Sequence, residues 1–134
     1  MKKLLIVIAV CFVQNMFSQS ASSATAKPDY SPVYNSVGLD AKPDFPGGYD
    51  KFYAFVDENF KYPEPSLNLK GKKIYVTFIV EKDGSLTDIK ILRDAGHGTG
   101  EEAFRVLQQS PKWIPGKLKG ETVRVLFSLP IAIK

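Results

Sequence analysis

The residues between Lys73 and Arg93 have the pattern of a β-hairpin, which restricts the fold more than any other feature of the chain. From Lys73 to Glu81, β-branched and aromatic side chains alternate with the period of two that is typical of a strand. Asp83-Gly84 follows and predicts a tight turn, because glycine supplies the positive φ that such a turn needs. The return strand is predicted over Leu86–Arg93. The inward face of the hairpin then consists of apolar residues: Ile74, Val76, Phe78, Val80, Ile89 and Ile91.

One further strand and two helices are predicted around this hairpin. The strand is Thr122–Leu129, in which alternate residues are apolar, and apolar residues recur at helical spacing over Tyr49–Phe60 and Glu101–Gln109. A three-stranded sheet with one apolar face is not stable alone in water. We therefore expect an α+β fold, a two-layer sandwich in which two helices cover one face of a three-stranded antiparallel sheet, in the order α-β-β-α-β. Such a sheet has two edge strands, and each is either protected or available for docking.

Segments rich in proline and glycine connect these elements. Pro46-Gly47-Gly48 predicts a stiff turn before the first helix. Pro63 and Pro65 end that helix, because proline lacks an N–H and disfavours helix in the residue before it. Two prolines and a glycine in Pro111–Gly116 direct the chain around the only tryptophan, Trp113. We interpret Trp113 as a residue that packs over the open end of the core.

The N-terminal residues have the pattern of a secretory signal. Lys2-Lys3 precede the apolar run Leu4–Val13, which is followed by polar residues and by Ser18. This run is shorter than the roughly 17 to 25 residues that span a membrane, so we expect a signal peptide over residues 1–18. Residues 19–40 show neither helical nor strand periodicity and predict a flexible leader, with the folded domain over residues 41–134. An uncleaved membrane anchor is the alternative.

The composition leaves few parts for catalysis. The only cysteine, Cys11, lies in the predicted signal, and the only histidine, His97, lies in a glycine-rich loop where we expect a solvated side chain. The formal charge of +4 falls to +2 without Lys2 and Lys3, which is too small to indicate nucleic acid. The loop Gly96–Gly100 lacks the residues of a phosphate-binding motif. We therefore predict that the protein is not an enzyme, has no metal or cofactor, and binds neither nucleic acid nor a small-molecule substrate.

A series of short motifs resembles the C-terminal periplasmic domain of the energy transducer TonB, in the form common in Bacteroidetes. The resemblance runs from about Ala41 to the C-terminus and rests on Lys42–Gly48, Asn59, Tyr62-Pro63, Gly71, Val76, Phe78, Val80, Asp83-Gly84, Glu102-Ala103, Arg105, Pro111–Trp113, Pro115-Gly116, Val123–Val125 and Pro130-Ile131. It implies a domain that binds the TonB box, a short peptide segment of TonB-dependent outer-membrane receptors. The box adds as a strand beside the last strand of the sheet, and pulling on it transmits proton-motive energy for transport.

The resemblance also implies roles for individual residues. The peptide-binding edge strand would consist of Thr122, Val123, Arg124, Val125, Leu126, Phe127, Ser128 and Leu129, with Arg124, Leu126 and Ser128 beside the incoming peptide. Structural roles would fall to Pro46, Gly47, Gly48, Tyr62, Pro63, Gly84, Trp113, Pro115 and Gly116.

The chain differs from a full transducer, which has a transmembrane helix and a long proline-rich span. Gln19–Ala41 reaches only about 80 Å when fully extended, so we expect a stand-alone periplasmic domain that is an accessory, adaptor or competitor of an anchored transducer. Clusters of lysine and arginine motivate a second hypothesis, an envelope module that binds peptidoglycan or forms a homodimer through the same edge. A short transducer with an uncleaved N-terminus is the third.

Overall fold

The computed structural model describes residues 28–134. The predicted signal peptide, the leader as far as residue 27 and Cys11 lie outside the described residues. Within residues 28–134, no helix has the length and apolarity needed to cross a membrane. The residues from Ser31 to Lys134 form one compact unit.

Five strands and two α-helices follow one another in the described part of the chain. They are β1 (Val33–Asn35), α1 (Tyr49–Asn59), β2 (Lys73–Val80), β3 (Leu86–Arg93), α2 (Thr99–Gln108), β4 (Gly116–Leu118) and β5 (Glu121–Ala132), with a 3₁₀ turn at Pro65–Leu67 between α1 and β2. Both predicted helices and all three predicted strands are present, and their ends differ from the prediction by at most a few residues. Strands β1 and β4 were not predicted, because three residues are too few to show a period.

The strands form a mixed sheet in the order β1-β5-β2-β3, and β4 also pairs with β5. Strand β2 is antiparallel to both β3 and β5, as predicted, whereas β1 is parallel to β5. The α+β class is confirmed, but the expected three antiparallel strands are a subset of this five-stranded sheet. The last strand therefore lies between β1 and β2 instead of forming the edge.

Strand β1 comes from the segment predicted as a leader, residues 19–40. Val33 lies opposite Arg124 of β5, and Asn35 lies opposite Leu126. Farther along, the backbone N–H of Asp40 donates to the Lys117 carbonyl at 2.9 Å. Paired structure thus begins before the predicted boundary at residue 41. The segment shows no strand periodicity in its sequence, but its backbone groups pair with β5 and with Lys117.

The two helices share one hydrophobic core with alternate residues of the sheet. Helix α1 contributes Phe52 and Val56, and the buried residues of α2 include Val106 and Leu107. The predicted inward residues of β2 are all buried, while Ile89 and Ile91 of β3 are partly buried and pack against the core; the buried sheet residues of this cluster are Ile74, Val76, Phe78, Val80, Phe127, Leu129 and Ile131.

Trp113 lies at the centre of an aromatic cluster and is only 2% exposed. Its ring centroid is 5.3 to 5.7 Å from those of four phenylalanines, Phe45, Phe52, Phe78 and Phe127. The indole Nε1 donates a hydrogen bond to Ser110 Oγ at 3.0 Å, so its polar atom is satisfied. Trp113 thus packs inside the hydrophobic core, among these four phenylalanines.

The turn between β2 and β3 approaches Trp113 closely. Gly84 has φ +88°, as the predicted turn requires, and its carbonyl accepts the Trp113 N–H at 2.8 Å. A Cβ at Gly84 would lie 2.0 Å from the Trp113 carbonyl oxygen. Glycine is therefore needed at this position for the backbone contact as well as for the turn.

Candidate functional site

The predicted peptide-binding residues, Thr122–Leu129, all lie on β5, and this strand has neighbours on both sides. Strand β2 pairs with Val125–Ala132 in continuous register, and β4 pairs with Glu121–Val123. Strand β1 pairs with Arg124–Leu126. Among the described residues, Phe127–Ala132 have a strand partner only on the β2 side. We call the side of β5 that faces β1 the outer edge.

The alternation of hydrogen bonds in an antiparallel ladder identifies which residues of β5 direct their backbone groups toward the outer edge. The N–H of Ile133 donates to the Lys72 carbonyl at 2.8 Å, on the β2 side. Successive residues of a strand direct their N–H and C=O groups to opposite sides. Counting back along the uninterrupted register, the residues that face the outer edge are Arg124, Leu126, Ser128 and Pro130.

Pro130 ends the part of the outer edge that can bind a strand. It has no N–H to donate, and a proline is tolerated here because its nitrogen faces away from β2. Its carbonyl oxygen accepts a hydrogen bond from the Tyr53 hydroxyl of α1 at 3.0 Å. The outer edge therefore has β1 at Arg124–Leu126, an outward-facing backbone at Ser128 and a closed end at Pro130.

Arg124 is part of an ion pair at the other end of the edge. Its Nε and Nη2 donate to Glu81 Oε1 and Oε2 at 2.7 and 3.2 Å. The two side chains are 16% and 14% exposed, so this bidentate pair is largely shielded from solvent. The third nitrogen, Nη1, donates to the Ser31 carbonyl at 2.9 Å. Arg124 thus joins β5 to the end of β2 and to the residues before β1.

The side chains of β5 alternate between core and solvent along the edge. Val125, Phe127 and Leu129 are buried, whereas Leu126 is 44% exposed and Ser128 is exposed as well. Of the three residues expected beside a peptide, Leu126 and Ser128 are therefore accessible on the face of the sheet opposite the helices, and Arg124 is engaged with Glu81.

The predicted structural residues around α1 lie at its two ends. Gly48 directly precedes the helix with φ +96°, and Gly47 has φ +88°, while Pro46 is exposed. After the helix, Pro63 is partly buried and the Tyr62 hydroxyl donates to Asp57 Oδ1 at 2.7 Å. Burial is the larger cause, and the hydrogen bond to the Asp57 carboxylate the smaller cause, of a raised pKa of the Tyr62 hydroxyl.

Pro115 and Gly116 bring the chain from Trp113 into β4. Pro115 is partly buried and Gly116 is buried. A Cβ at Gly116 would lie 2.7 Å from Val125 Cγ2, so a larger residue would collide with β5 beside the outer edge. Strand β4 consequently packs close against the strand that carries the candidate site.

In the described part of the chain, histidine and carboxylate side chains, the types that often act in catalysis, lie apart from one another or are already hydrogen-bonded. His97 is exposed, and the carboxylate of nearby Asp94 accepts the Gly96 N–H at 2.8 Å. Glu102 accepts hydrogen bonds from Arg105, which lower the pKa of its carboxyl. In residues 28–134, no group of three or more His, Cys, Asp or Glu side chains could hold a metal ion.

Sequence reasoning missed three features of the site. They are the strand β1, the pairing of Arg124 with Glu81, and the Tyr53 hydrogen bond to Pro130. Val33-Tyr34 are residue types that favour strands, but they stand between Pro32 and a turn and form no alternating run. The two side-chain contacts join residues 43 and 77 positions apart, for which the chain has no local signal.

Two solved structures of a TonB C-terminal domain from Helicobacter pylori are similar to the chain. The solution structure of residues 194–285 of that protein is 23% identical, with a TM-score of 0.47, and covers 64% of this chain and 91% of that one. The solution structure of its residues 179–285 is 22% identical, with a TM-score of 0.39, and covers 64% and 80%. No curated protein matches the chain.

A protein family also matches the sequence directly. The family is the C-terminal domain of the TonB protein of Gram-negative bacteria, and the match covers residues 58–133, from the end of α1 through β5. It includes strands β2 to β5, the turn at Gly84, Trp113 and the β5 residues of the outer edge, but not β1, and it extends over more than half of the chain. The chain therefore belongs to the TonB C-terminal family.

Proposed function

We propose that this domain acts in the periplasm, where it binds extended peptide segments of TonB-dependent outer-membrane receptors by strand addition along the outer edge of β5. The observation that carries the proposal is the outward-facing backbone at Leu126 and Ser128 in a TonB C-terminal domain. An outward N–H and C=O pair can bond an extended peptide of almost any sequence. Binding in this way links the domain to energy-dependent transport and needs no catalytic group.

Side chains next to the edge supply selectivity for the peptide. Alternate residues of an added strand contact one face of the sheet. On the face opposite the helices these residues meet Leu126, which is 44% exposed, and exposed Ser128. We expect the apolar contact with Leu126 to favour a peptide with a branched apolar residue at the opposing position.

The test is a calorimetric titration of the exported protein with TonB-box peptides from receptors of the same organism. We expect a dissociation constant in the micromolar range, a free energy of about −7 to −8 kcal/mol. Leu126→Pro removes an N–H that faces the outer edge and leaves the β2 ladder intact, so it should abolish binding while the domain stays folded.

Leu126→Ala is the matched control, since it shortens the same side chain and retains the N–H. It should weaken binding only moderately. Equal affinity of folded Leu126→Pro and the unmodified protein would refute strand addition at this edge. Intact mass of the exported protein distinguishes a cleaved periplasmic domain from an anchored transducer that retains Met1.

A groove with three basic side chains lies at the start of β2, away from the Arg124–Glu81 pair, and supports peptidoglycan as a second partner. Lys72, Lys73 and Arg93 line this groove together with one acidic residue, Asp94, and with exposed Tyr75. Sedimentation with isolated sacculi tests the idea, with charge reversal of these three side chains as the control. If the protein pellets with the sacculi and the charge-reversed variant does not, the envelope-binding function is supported. If the unmodified protein stays in solution, that function is refuted. Sedimentation equilibrium of the same protein measures whether it forms a homodimer.

A further inference from the structure

The chain places its own strand β1 on the edge where the proposed function puts the receptor peptide. We propose that Val33–Asn35 is an intramolecular occupant of the peptide-binding edge, and that an incoming peptide binds by displacing it. This inference rests on the proposed function. It adds that β1 competes with the receptor peptide for the outer edge and thereby lowers the apparent affinity for the peptide.

The pairing of β1 uses the backbone groups that a peptide would need. Tyr34 lies opposite Val125 in parallel register. In a parallel pair, a residue bonds to the two residues that flank its partner, which are Arg124 and Leu126. These are the positions whose N–H and C=O groups face the outer edge. A peptide therefore cannot pair with Leu126 while Tyr34 is in place.

Strand β1 pairs with β5 over a much shorter stretch than β2 does. It pairs over three residues, whereas β2 pairs with β5 over eight. All three residues of β1 are exposed, with Val33 41% and Tyr34 36% accessible, and none of them belongs to the hydrophobic core. Displacement of β1 therefore removes no residue from the hydrophobic core.

Contacts at Ser31 attach the start of β1 to the sheet. Arg124 Nη1 donates to the Ser31 carbonyl at 2.9 Å, and Lys82 Nζ donates to Ser31 Oγ at 2.7 Å. Beyond β1, the Asp40 N–H donates to the Lys117 carbonyl at 2.9 Å. Only Ser36–Leu39 separate β1 from this second attachment, so a displaced β1 stays within reach of the edge at high effective concentration.

Occupation of the outer edge by β1 lowers the apparent affinity for peptide in proportion to the fraction of molecules in which the edge is open. When a ligand binds only the open state, the apparent dissociation constant is the intrinsic one divided by the fraction of molecules that are open. A variant with a weakened β1 therefore binds peptide more tightly, even though no contact with the peptide has changed.

Tyr34→Pro in the full exported chain tests this mechanism. It removes the N–H that faces Arg124, and the loss of one backbone hydrogen bond shifts the balance toward the open state by about fivefold. Val33→Pro is the matched control, because the N–H of Val33 faces away from β5. Both positions are exposed, so neither variant loses core packing.

Two measurements on each variant separate the inference from the proposed function. Hydrogen exchange at the Arg124 and Leu126 amides reports whether β1 covers the edge, and titration with the TonB-box peptide reports affinity. Support consists of faster exchange and about fivefold tighter binding for Tyr34→Pro, with Val33→Pro close to the unmodified protein. Faster exchange with unchanged affinity overturns the competition and leaves strand addition intact. Unchanged exchange in Tyr34→Pro overturns the occupancy itself. Absence of binding by all three proteins refutes the proposed function and the competition that rests on it.

Discussion

Gly84→Ala is predicted to be among the most destabilising single substitutions in the turns of this domain. The new methyl carbon would lie 2.0 Å from the Trp113 carbonyl oxygen, whereas ordinary contacts begin at 3.4 Å. Because the atom in the way belongs to the backbone, the turn and the Trp113 segment must separate. That separation breaks the 2.8 Å hydrogen bond from the Trp113 N–H to the Gly84 carbonyl.

The cost has two separable parts. A non-glycine residue at φ +88° costs about 1 to 2 kcal/mol. Loss of a hydrogen bond beside a buried tryptophan adds about 1 to 3 kcal/mol. The total of about 2 to 5 kcal/mol is a large fraction of the roughly 5 to 15 kcal/mol that stabilises an ordinary domain.

Gly71→Ala is the matched control, since Gly71 has φ +85° and a Cβ there meets nothing within 4 Å. Urea unfolding of both variants measures the free energy and the m-value. We expect Gly71→Ala to lose only the backbone part, and Gly84→Ala to lose about 1 to 3 kcal/mol more. Equal losses in the two variants would refute the argument that the approach to Trp113, and not the turn alone, requires glycine.

Three further predictions concern the ion pair, acid stability and the core. Arg124→Ala should cost about 1.5 to 3 kcal/mol in urea unfolding, and its cost should not add to that of Glu81→Ala in a double-mutant cycle. Hydrogen bonds from Ser85 hold the pKa of Asp83 below its ordinary 3.8; the unfolded chain then binds the proton more readily, so the free energy of unfolding should fall as pH drops below 3.8, and less steeply in Asp83→Asn. Trp113→Ala should cost about 3 to 5 kcal/mol by thermal or urea unfolding, and a smaller loss would contradict its central place in the core.

The secondary structure of the core was predictable because its signals are local. Alternation marks β2, and helical spacing marks α1. The turn at Gly84 followed from a dipeptide whose φ requirement is intrinsic to the residue. The packing role of Trp113 was also foreseeable, since prolines on both sides restrict the path of the chain and a large aromatic side chain gains most from burial.

The candidate site was predictable only in part. Thr122–Leu129 could be recognised as a strand, and its resemblance to a family pointed to peptide binding. Its pairing with β1 could not be recognised, because strand pairing depends on which segments meet in space. Val33–Asn35 reaches β5 across 91 positions, Val33 to Arg124, and does so through backbone groups that every residue type possesses.

The sequence by itself determined the hairpin, the two helices, the turns and the apolar face, because each depends on residues near one another in the chain. Only the tertiary structure decided that β5 lies inside the sheet, that its outward-facing backbone is at Leu126 and Ser128, and that β1 covers part of it. It also decided that Arg124 is paired with Glu81 and largely shielded from solvent. The physical reason is that hydrogen-bonding partners and the shielding of charge arise from distant segments brought together, which no local pattern encodes.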